Sequence, residues 1–434
     1  MSIGGKIRFL GFFIKDFINF EKEDRVVTQW KDIEETLSNY DTGWKKVEKS
    51  LHNCLDYATE NCEFYKQYKG KPLREFPVLT KMDFIENFDK IKNPLFNDED
   101  LHTSSTSGST GTPFKVVQNR GKRNRVFAEL KYFGEKAGYP SHEKMCLYRA
   151  CHKLSFLSMF LSNVWQPDPS VLSEENLEKL YNYQKDSFAI YSYPSTLDLM
   201  VSLWSKKGYC GSDSVKLVMT SAELLTKENR EKFRLFWKKA NVISRYANME
   251  NGMLGQEEFQ VENEFKCNWA SYYFEVLKLD SDEPAEDGEL GRLVITDMYN
   301  KAFPMIRYDN GDIVRMVKQD NDFPKFAEVQ GRKLDMIYDV NGSPLSPFCI
   351  TNHIWGLTSK VRQWQFVQET KTNYKFVFSG ENTEEVIDSL NKKIEKIRSI
   401  LGNDALIEIE YVDEIPVLKS NKRKMIVQKF FGRG

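Results

Sequence analysis

The sequence predicts an α/β fold, a large layered α/β body with a β-rich subdomain followed by a small α+β domain. Three observations predict it. From Ser187 to Tyr246, apolar runs of strand length alternate with stretches of helical period, as expected of helices layered on a sheet. Past about Ser271 the pattern turns strand-rich, with Gly and Asp at the turns. The end of the chain changes again to a β-β-α-β order, a unit able to form its own small domain.

The elements follow in order. Val47, Leu51, Leu55 and Ala58 recur at helical spacing between Trp44 and Tyr68, and Pro77-Val78-Leu79-Thr80 introduces a second helix through Phe88, with Thr80 as N-cap. A further helix runs from Arg123 to Ala137. Ser187–Ser192 reads as a buried strand that ends in a turn at Pro194. Leu197–Trp204, Val215–Thr220, Lys227–Lys239 and Val242–Tyr246 then alternate helix and strand. Phe274–Leu279, Arg292–Thr296 and Asp312–Val317 read as strands. In the tail, Trp364–Gln368 and Lys375–Ser379 form a hairpin, Thr383–Leu401 an amphipathic helix on Val386, Leu390, Ile394 and Ile397, and Leu406–Val412 a further strand. The border is set near Asp335, giving domains 1–335 and 336–434.

Composition narrows the function classes. The 62 Lys and Arg nearly cancel the 63 Asp and Glu, so nothing global calls for nucleic acid. Seven cysteines, an odd number without a Cys-x-x-Cys pair, favour a reducing compartment and no structural zinc; the nearness of Cys146, Cys151 and His152 reads as scattered buried thiols beside a histidine rather than a metal site. No apolar run is long enough to span a bilayer, so a cytoplasmic protein is expected. Near the start, Phe9, Phe13, Phe17 and Phe20 recur at helical spacing, which fits either peripheral contact with the inner membrane surface or packing on the domain. A polar face thin in Lys and Arg favours packing.

The chemistry begins with the stretch from Thr103 to Lys115, dense in Ser, Thr and Gly. Small residues let backbone N–H groups approach a polyphosphate, and hydroxyls add donors. It is not a Walker A loop, because the Gly-Lys-[Ser/Thr] ending is missing and Pro113 follows. Taken alone, its composition also suits a flexible linker.

Four further segments make the signal specific: Tyr246-Ala247-Asn248-Met249-Glu250, Arg307-Tyr308-Asp309-Asn310-Gly311-Asp312, Gly331-Arg332-Lys333-Leu334-Asp335 and Lys419-Ser420-Asn421-Lys422-Arg423-Lys424. In this order the set resembles the adenylate-forming superfamily of acyl-CoA ligases, peptide-synthetase adenylation domains and luciferases. Within it the chain is most similar to the phenylacetate-CoA ligase branch, including the CapK-type proteins of capsular polysaccharide loci. The stretch from Leu55 through Phe64-Tyr65 to Phe76-Pro77-Val78-Leu79-Thr80-Lys81 resembles the opening segment of that branch.

The resemblance implies an ATP-dependent ligase that forms an acyl-adenylate, releases pyrophosphate, and passes the acyl group to coenzyme A or to an amine or hydroxyl acceptor. The substrate would be a small or saccharide-linked carboxylic acid. Thr106, Ser107, Gly108, Ser109, Thr110, Gly111 and Thr112 would hold the ATP phosphates, and Glu250 the Mg2+ ion, a hard oxygen ligand for a hard cation. Tyr246 would stack on adenine, Asp312 accept the ribose hydroxyls, and Arg332 lie beside ribose and phosphate. Lys422 would be the mobile lysine that meets the acyl carboxylate and the α-phosphate, with Lys419 and Lys424 as rivals because Ser-Asn-Lys stands where the family has Gly before its lysine. Glu223, in Ser221-Ala222-Glu223, is similar to a family Gly-Ala-Glu segment near the nucleotide, and an ordinary strand-end carboxylate fits it equally. The alternative from another class is a catalytically silent protein of the same fold, acting as a scaffold at a membrane assembly.

Overall fold

The structure, a computed structural model, describes residues 2–106, 114–148, 154–169, 174–258, 261–332, 337–342, 344–345, 350, 354, 360–415 and 425–430. The chain opens with α1 (Ile3–Asn19), α2 (Val26–Ser38) and α3 (Tyr40–Asn61). Two short helices follow, α4 (Lys81–Glu86) and α5 (Phe88–Ile91). Thr80 caps α4 as the sequence predicts, in a reciprocal capping box with Asp83.

A two-stranded hairpin, β1 (His102–Thr106) and β2 (Phe114–Gln118), pairs Thr106 with Phe114 and His102 with Gln118. The sequence reading gave these strands no place: the Thr and Ser of β1 show no alternation of apolar and polar residues, and Phe-Lys-Val-Val-Gln is too short to show a period by itself. After α6 (Arg120–Lys136) the chain enters the main sheet. Its parallel half comprises β3 (Met145–Tyr148), β4 (Val164–Trp165), β5 (Ala189–Ser192), β6 (Leu217–Ser221) and β7 (Asn241–Asn248). Its antiparallel half adds β8 (Gly252–Glu257), β9 (Phe265–Cys267), β10 (Tyr272–Leu277), β11 (Leu290–Asp297), β12 (Tyr308–Gln319) and β13 (Asp322–Arg332). Among the described residues the spatial order is β10-β11-β12-β13-β9-β8-β7-β6-β5-β3-β4. Strand β7 is shared: parallel to β6 on one side, antiparallel to β8 on the other.

Strands β5 and β6 are almost continuously buried because both faces of the parallel half are covered. On one face Ile190, Val218 and Val242 pack with Leu180, Leu197, Trp204, Phe233 and Trp237, supplied mainly by α8 (Glu174–Gln184), α9 (Pro194–Lys206) and α10 (Lys227–Phe236). On the other, Ala189, Met219 and Ile243 meet Ala137 and Tyr139 from beyond α6. Trp204 and Trp237 are thus core residues. The opening segment is pinned to the sheet from outside: Arg307 donates to Phe76 O at 2.8 Å and pairs with Glu275, while Leu79 N donates to Arg307 O.

Helix α6 carries a stripe of buried charge. Lys122, Arg125 and Glu129, at i, i+3 and i+7, share one face and are all inaccessible to solvent. Lys122 Nζ lies 2.7 Å from Asp297 Oδ2, a charge pair poorly angled for a hydrogen bond to that oxygen. It also donates to Tyr272 Oη at 2.9 Å. Arg125 pairs with Asp32 at 2.7 Å, donates to Ser271 Oγ and Ala270 O, and lies over the ring of Tyr299. Burial pushes the Glu129 carboxyl up, against the pull of Lys122 and Arg125.

Helix α1 corrects the sequence reading in part. Phe9 packs on Trp30 and His142, Phe12 on His142, and buried Asp16 caps α2 by accepting from Val26 N and Val27 N. Phe13 and Phe17, however, are 39 % and 65 % exposed. A four-residue spacing drifts about 40° per step around an α-helix, so a stripe that begins inward at Phe9 has walked outward by Phe17. The outward face is Ile3, Ile7, Leu10, Ile14, Phe17 and Ile18, beside the exposed Phe156 and Leu157 of α7 (Phe156–Ser162).

In the tail, β14 (Ile337–Tyr338) and β15 (Pro344–Leu345) pair with each other. A four-stranded sheet in the order β18-β17-β16-β19 then joins β16 (Val361–Gln368), β17 (Asn373–Gly380), β18 (Leu406–Tyr411) and β19 (Ile426–Gln428). The helix Glu384–Leu401 starts at the Thr383 cap and buries Val386, Leu390, Ile394 and Ile397, the face read from sequence. The border residue Asp335 lies outside the described residues.

Candidate active site

The end of β7 and the start of β12 meet across the sheet. Tyr246 Oη donates to Asp312 Oδ2 at 2.5 Å, and Asn310 Nδ2 reaches the same carboxylate oxygen at 2.8 Å and the Tyr246 hydroxyl at 2.9 Å. Burial, then the Asp312 charge, hold the Tyr246 phenol well above its usual range, so it serves as a donor. Its ring stands edge-on to Phe326 at 5.9 Å. The backbone around Asp312 is fixed by short-range bonds: Gly311 N donates to Asp309 Oδ1, Asp312 N to Asn310 Oδ1, and Asp309 is held by Arg292. Gly311 takes a φ of +79°, open to glycine at little cost.

Glu250 is 7 % exposed in the turn between β7 and β8, and the backbone of that turn is tied on several sides. Gln118 Nε2 donates to Glu250 O at 3.3 Å, linking the base of the β1–β2 hairpin to the turn. Tyr272 Oη donates to Asn251 O at 2.8 Å, Met253 N donates to Glu129 Oε2 at 3.1 Å, and Asn251 N to Asn248 Oδ1 at 2.8 Å. Between them Gly252 has φ +134°, and a Cβ there would meet Tyr272 Oη at 2.7 Å and Glu129 Oε2 at 2.8 Å. The buried network of α6 therefore also shapes the turn that carries Glu250.

The sequence-predicted residues fall into two groups. Tyr246, Glu250 and Asp312 lie at one end of β7 or across from it, and Arg332 closes β13 in register with Asp312. Thr106 ends β1 opposite Phe114. Ser107, Gly108, Ser109, Thr110, Gly111 and Thr112, and Lys422 with its rivals Lys419 and Lys424, lie outside the described residues. Glu223 Oε2 accepts from Ser195 N at the start of α9, a helix-capping contact. Sequence reasoning passed over Asn310, Gln118 and Glu129 as supports. Asn310 stood inside a quoted motif; nothing in the other two marks them as inward.

Among the described residues no group of three or more His, Cys, Asp or Glu side chains converges as an all-protein metal site would. One buried carboxylate suits Mg2+, which commonly takes one or two carboxylates and fills its remaining positions with phosphate oxygens and water.

Several known proteins are similar. The chain superposes on 2-hydroxyisobutyryl-CoA ligase in the postadenylation state in complex with R3-HIB-AMP, with TM-score 0.73, 15 % identity and 91 % of each chain covered. The same enzyme in complex with 2-HIB-AMP and CoA in the thioesterification state gives 0.58, with 16 % identity and 91 % of each chain covered. The anthranilate CoA ligase AuaEII in complex with anthranoyl-AMP gives 0.56, with 12 % identity over 77 % of this chain and 67 % of the other. The chain has the fold of the adenylate-forming ligases. It is 22 % identical over 413 residues to Protein CapK of Staphylococcus aureus, covering 86 % of each. Residues 337–429 match the CapK C-terminal domain. The matched segment takes in the β16–β17 hairpin, the helix Glu384–Leu401, and β18 and β19. No helix among the described residues is long and apolar enough to cross a membrane.

Proposed function

We propose that this protein is an AMP-forming ligase. A carboxylate oxygen attacks the α-phosphorus of ATP, the bond to pyrophosphate breaks, and the acyl-adenylate then gives its acyl group to a nucleophile as AMP leaves. The acceptor is coenzyme A or an amine or hydroxyl on a saccharide; the likeness to Protein CapK supports a place in surface polysaccharide assembly. The observation that carries the reading is that Tyr246, near the end of β7, holds Asp312 together with Asn310, while the turn that follows β7 carries Glu250 and is tied to the hairpin of the hydroxyl-rich loop.

In this reading the loop 106–112 binds the phosphates, and Tyr246 holds Asp312 toward the ribose while its ring borders adenine. Arg332 lies in register to serve the same nucleotide. Glu250 would hold Mg2+, which when bound neutralises phosphate charge. Preorganised groups of this kind need little rearrangement as charge develops. The test is pyrophosphate release over a panel of carboxylic acids with ATP, with and without Mg2+. Release that requires an acid and stops when the metal is chelated is expected; none with any acid favours the silent scaffold.

The tail acts as a mobile lid in this proposal, turning about the segment near Asp335 between the half-reactions. The two structures of 2-hydroxyisobutyryl-CoA ligase match this chain unequally, 0.73 in the postadenylation and 0.58 in the thioesterification state, so that enzyme differs in shape between its steps, which supports reading this chain the same way. Lys422→Ala should then slow adenylation about a hundredfold, and leave transfer from a pre-formed acyl-adenylate nearly untouched. Single-turnover assays of both half-reactions check this, with Lys419→Ala and Lys424→Ala as controls. A large selective defect in a control would move the assignment to that lysine.

The outward face of α1 supports peripheral contact with a membrane surface. Its apolar side chains form one exposed stripe, while Asp16, the one acid of the helix, is buried. An exposed apolar stripe of this kind fits shallow insertion at a lipid surface.

A further inference from the structure

Four arginines are buried among the described residues: Arg125, Arg230, Arg245 and Arg307. Three have a carboxylate: Arg125 pairs with Asp32, Arg230 with Glu257 and Arg307 with Glu275. Arg245, 5 % exposed, has none among the described residues. Its Nε donates to a neutral amide, Gln256 Oε1, at 2.7 Å, and that amide is spent on Phe133 O through its nitrogen. Its Nη2 is buried without a hydrogen-bond partner. The ring of Tyr191 lies 5.7 Å from the guanidinium carbon. Burial accordingly pulls the Arg245 pKa down, opposed only by the phenols of Tyr191 and Tyr139. A buried charge lacking its counter-ion is a costly arrangement, and folds that retain one commonly use it.

The place fits a ligand. Arg245 directly precedes Tyr246, near the C-terminal ends of β5, β6 and β7, where open α/β sheets bind their substrates. It is in register with Ser221 on β6, whose hydroxyl is 2.7 Å from that of the partly exposed Tyr191. By strand alternation, Arg245 and Tyr246 point to opposite faces of the sheet.

Resting on the ligase reading above, we infer that Arg245 is the anion receptor of the acyl site, and that the substrate is a carboxylic acid bearing a second anionic group, a dicarboxylate in its simplest form. One carboxylate is activated at the α-phosphate. The other meets the planar guanidinium fork in the two-point geometry that a lysine cannot reproduce.

The test compares succinate, glutarate and adipate with butyrate, valerate and hexanoate, by pyrophosphate release and by calorimetric binding in the presence of ATP. The parent should prefer the dicarboxylates, and Arg245→Met should lower kcat/KM for the best of them about a hundredfold, collapsing the preference. Arg245→Lys should fall between, and it decides the matter if the Met variant does not fold, folding being followed by circular dichroism. Turnover with a selectivity that neither variant changes would overturn the inference and leave the ligase reading standing. Arg245-dependent binding of dicarboxylates without pyrophosphate release would sustain the receptor and overturn the ligase reading. Neither release nor binding with either series would overturn both.

Discussion

Glu250→Gln is expected to lower pyrophosphate release about a thousandfold, the scale on which loss of a central charge-stabilising group acts, while leaving the protein folded. The substitution is nearly isosteric and removes one negative charge. The turn itself is held through the carbonyls of Glu250 and Asn251 and the N–H groups of Asn251 and Met253, none of which the change removes. Loss of activity would then report on the metal and phosphates rather than on local unfolding. Equal thermal midpoints for parent and variant, with release measured across an Mg2+ titration, provide the check. A variant that turns over at the parent rate would end the assignment of Glu250 as the metal carboxylate.

Lys122→Met should destabilise the fold by about 3–5 kcal/mol, the usual penalty for leaving a buried carboxylate without its cation. Asp297, fully buried, would be stranded, and Tyr272 Oη would lose one of its neighbours. That is a large share of a typical folding free energy of about 5–15 kcal/mol, so a marked fall in the urea midpoint is expected. Lys122→Met combined with Asp297→Asn should recover much of the loss, because the amide removes the stranded charge while its oxygen still accepts from Tyr299 N and Asn300 N. A single variant as stable as the parent would show that the pair contributes little.

The sequence made the repeating parts of the fold legible because their burial has a period. The Val386, Leu390, Ile394 and Ile397 stripe and the alternating helices and strands from Ser187 to Tyr246 are examples. The β1–β2 hairpin was not legible, since both strands are short and β1 is hydroxyl-rich without alternation. Nor was the buried face of α6: Arg120-Gly121-Lys122-Arg123-Asn124-Arg125 has the composition of a solvated surface, and only partners distant in sequence, Asp297 and Asp32, make it an interior. At the candidate site the motif residues stood out by type and order, whereas their supports did not. Gln118 and Glu129 are ordinary polar residues until the fold brings them to the backbone of residues 250–253.

The alternation of β7 bears on how such an enzyme can change what it accepts. Arg245 and Tyr246 are neighbours in sequence, yet the pleat sends one toward Tyr191 and Ser221 and the other toward Asp312 and Phe326. On the assignments proposed above, codons for the acid and codons for the nucleotide would be interleaved along one strand, their side chains on opposite faces of the sheet. On that proposal, a library that varies residues 191, 221 and 245 would explore new acids with the nucleotide side held constant. A one-residue slip of this strand would exchange the two compartments at once, so substitutions are tolerated here far more readily than insertions or deletions.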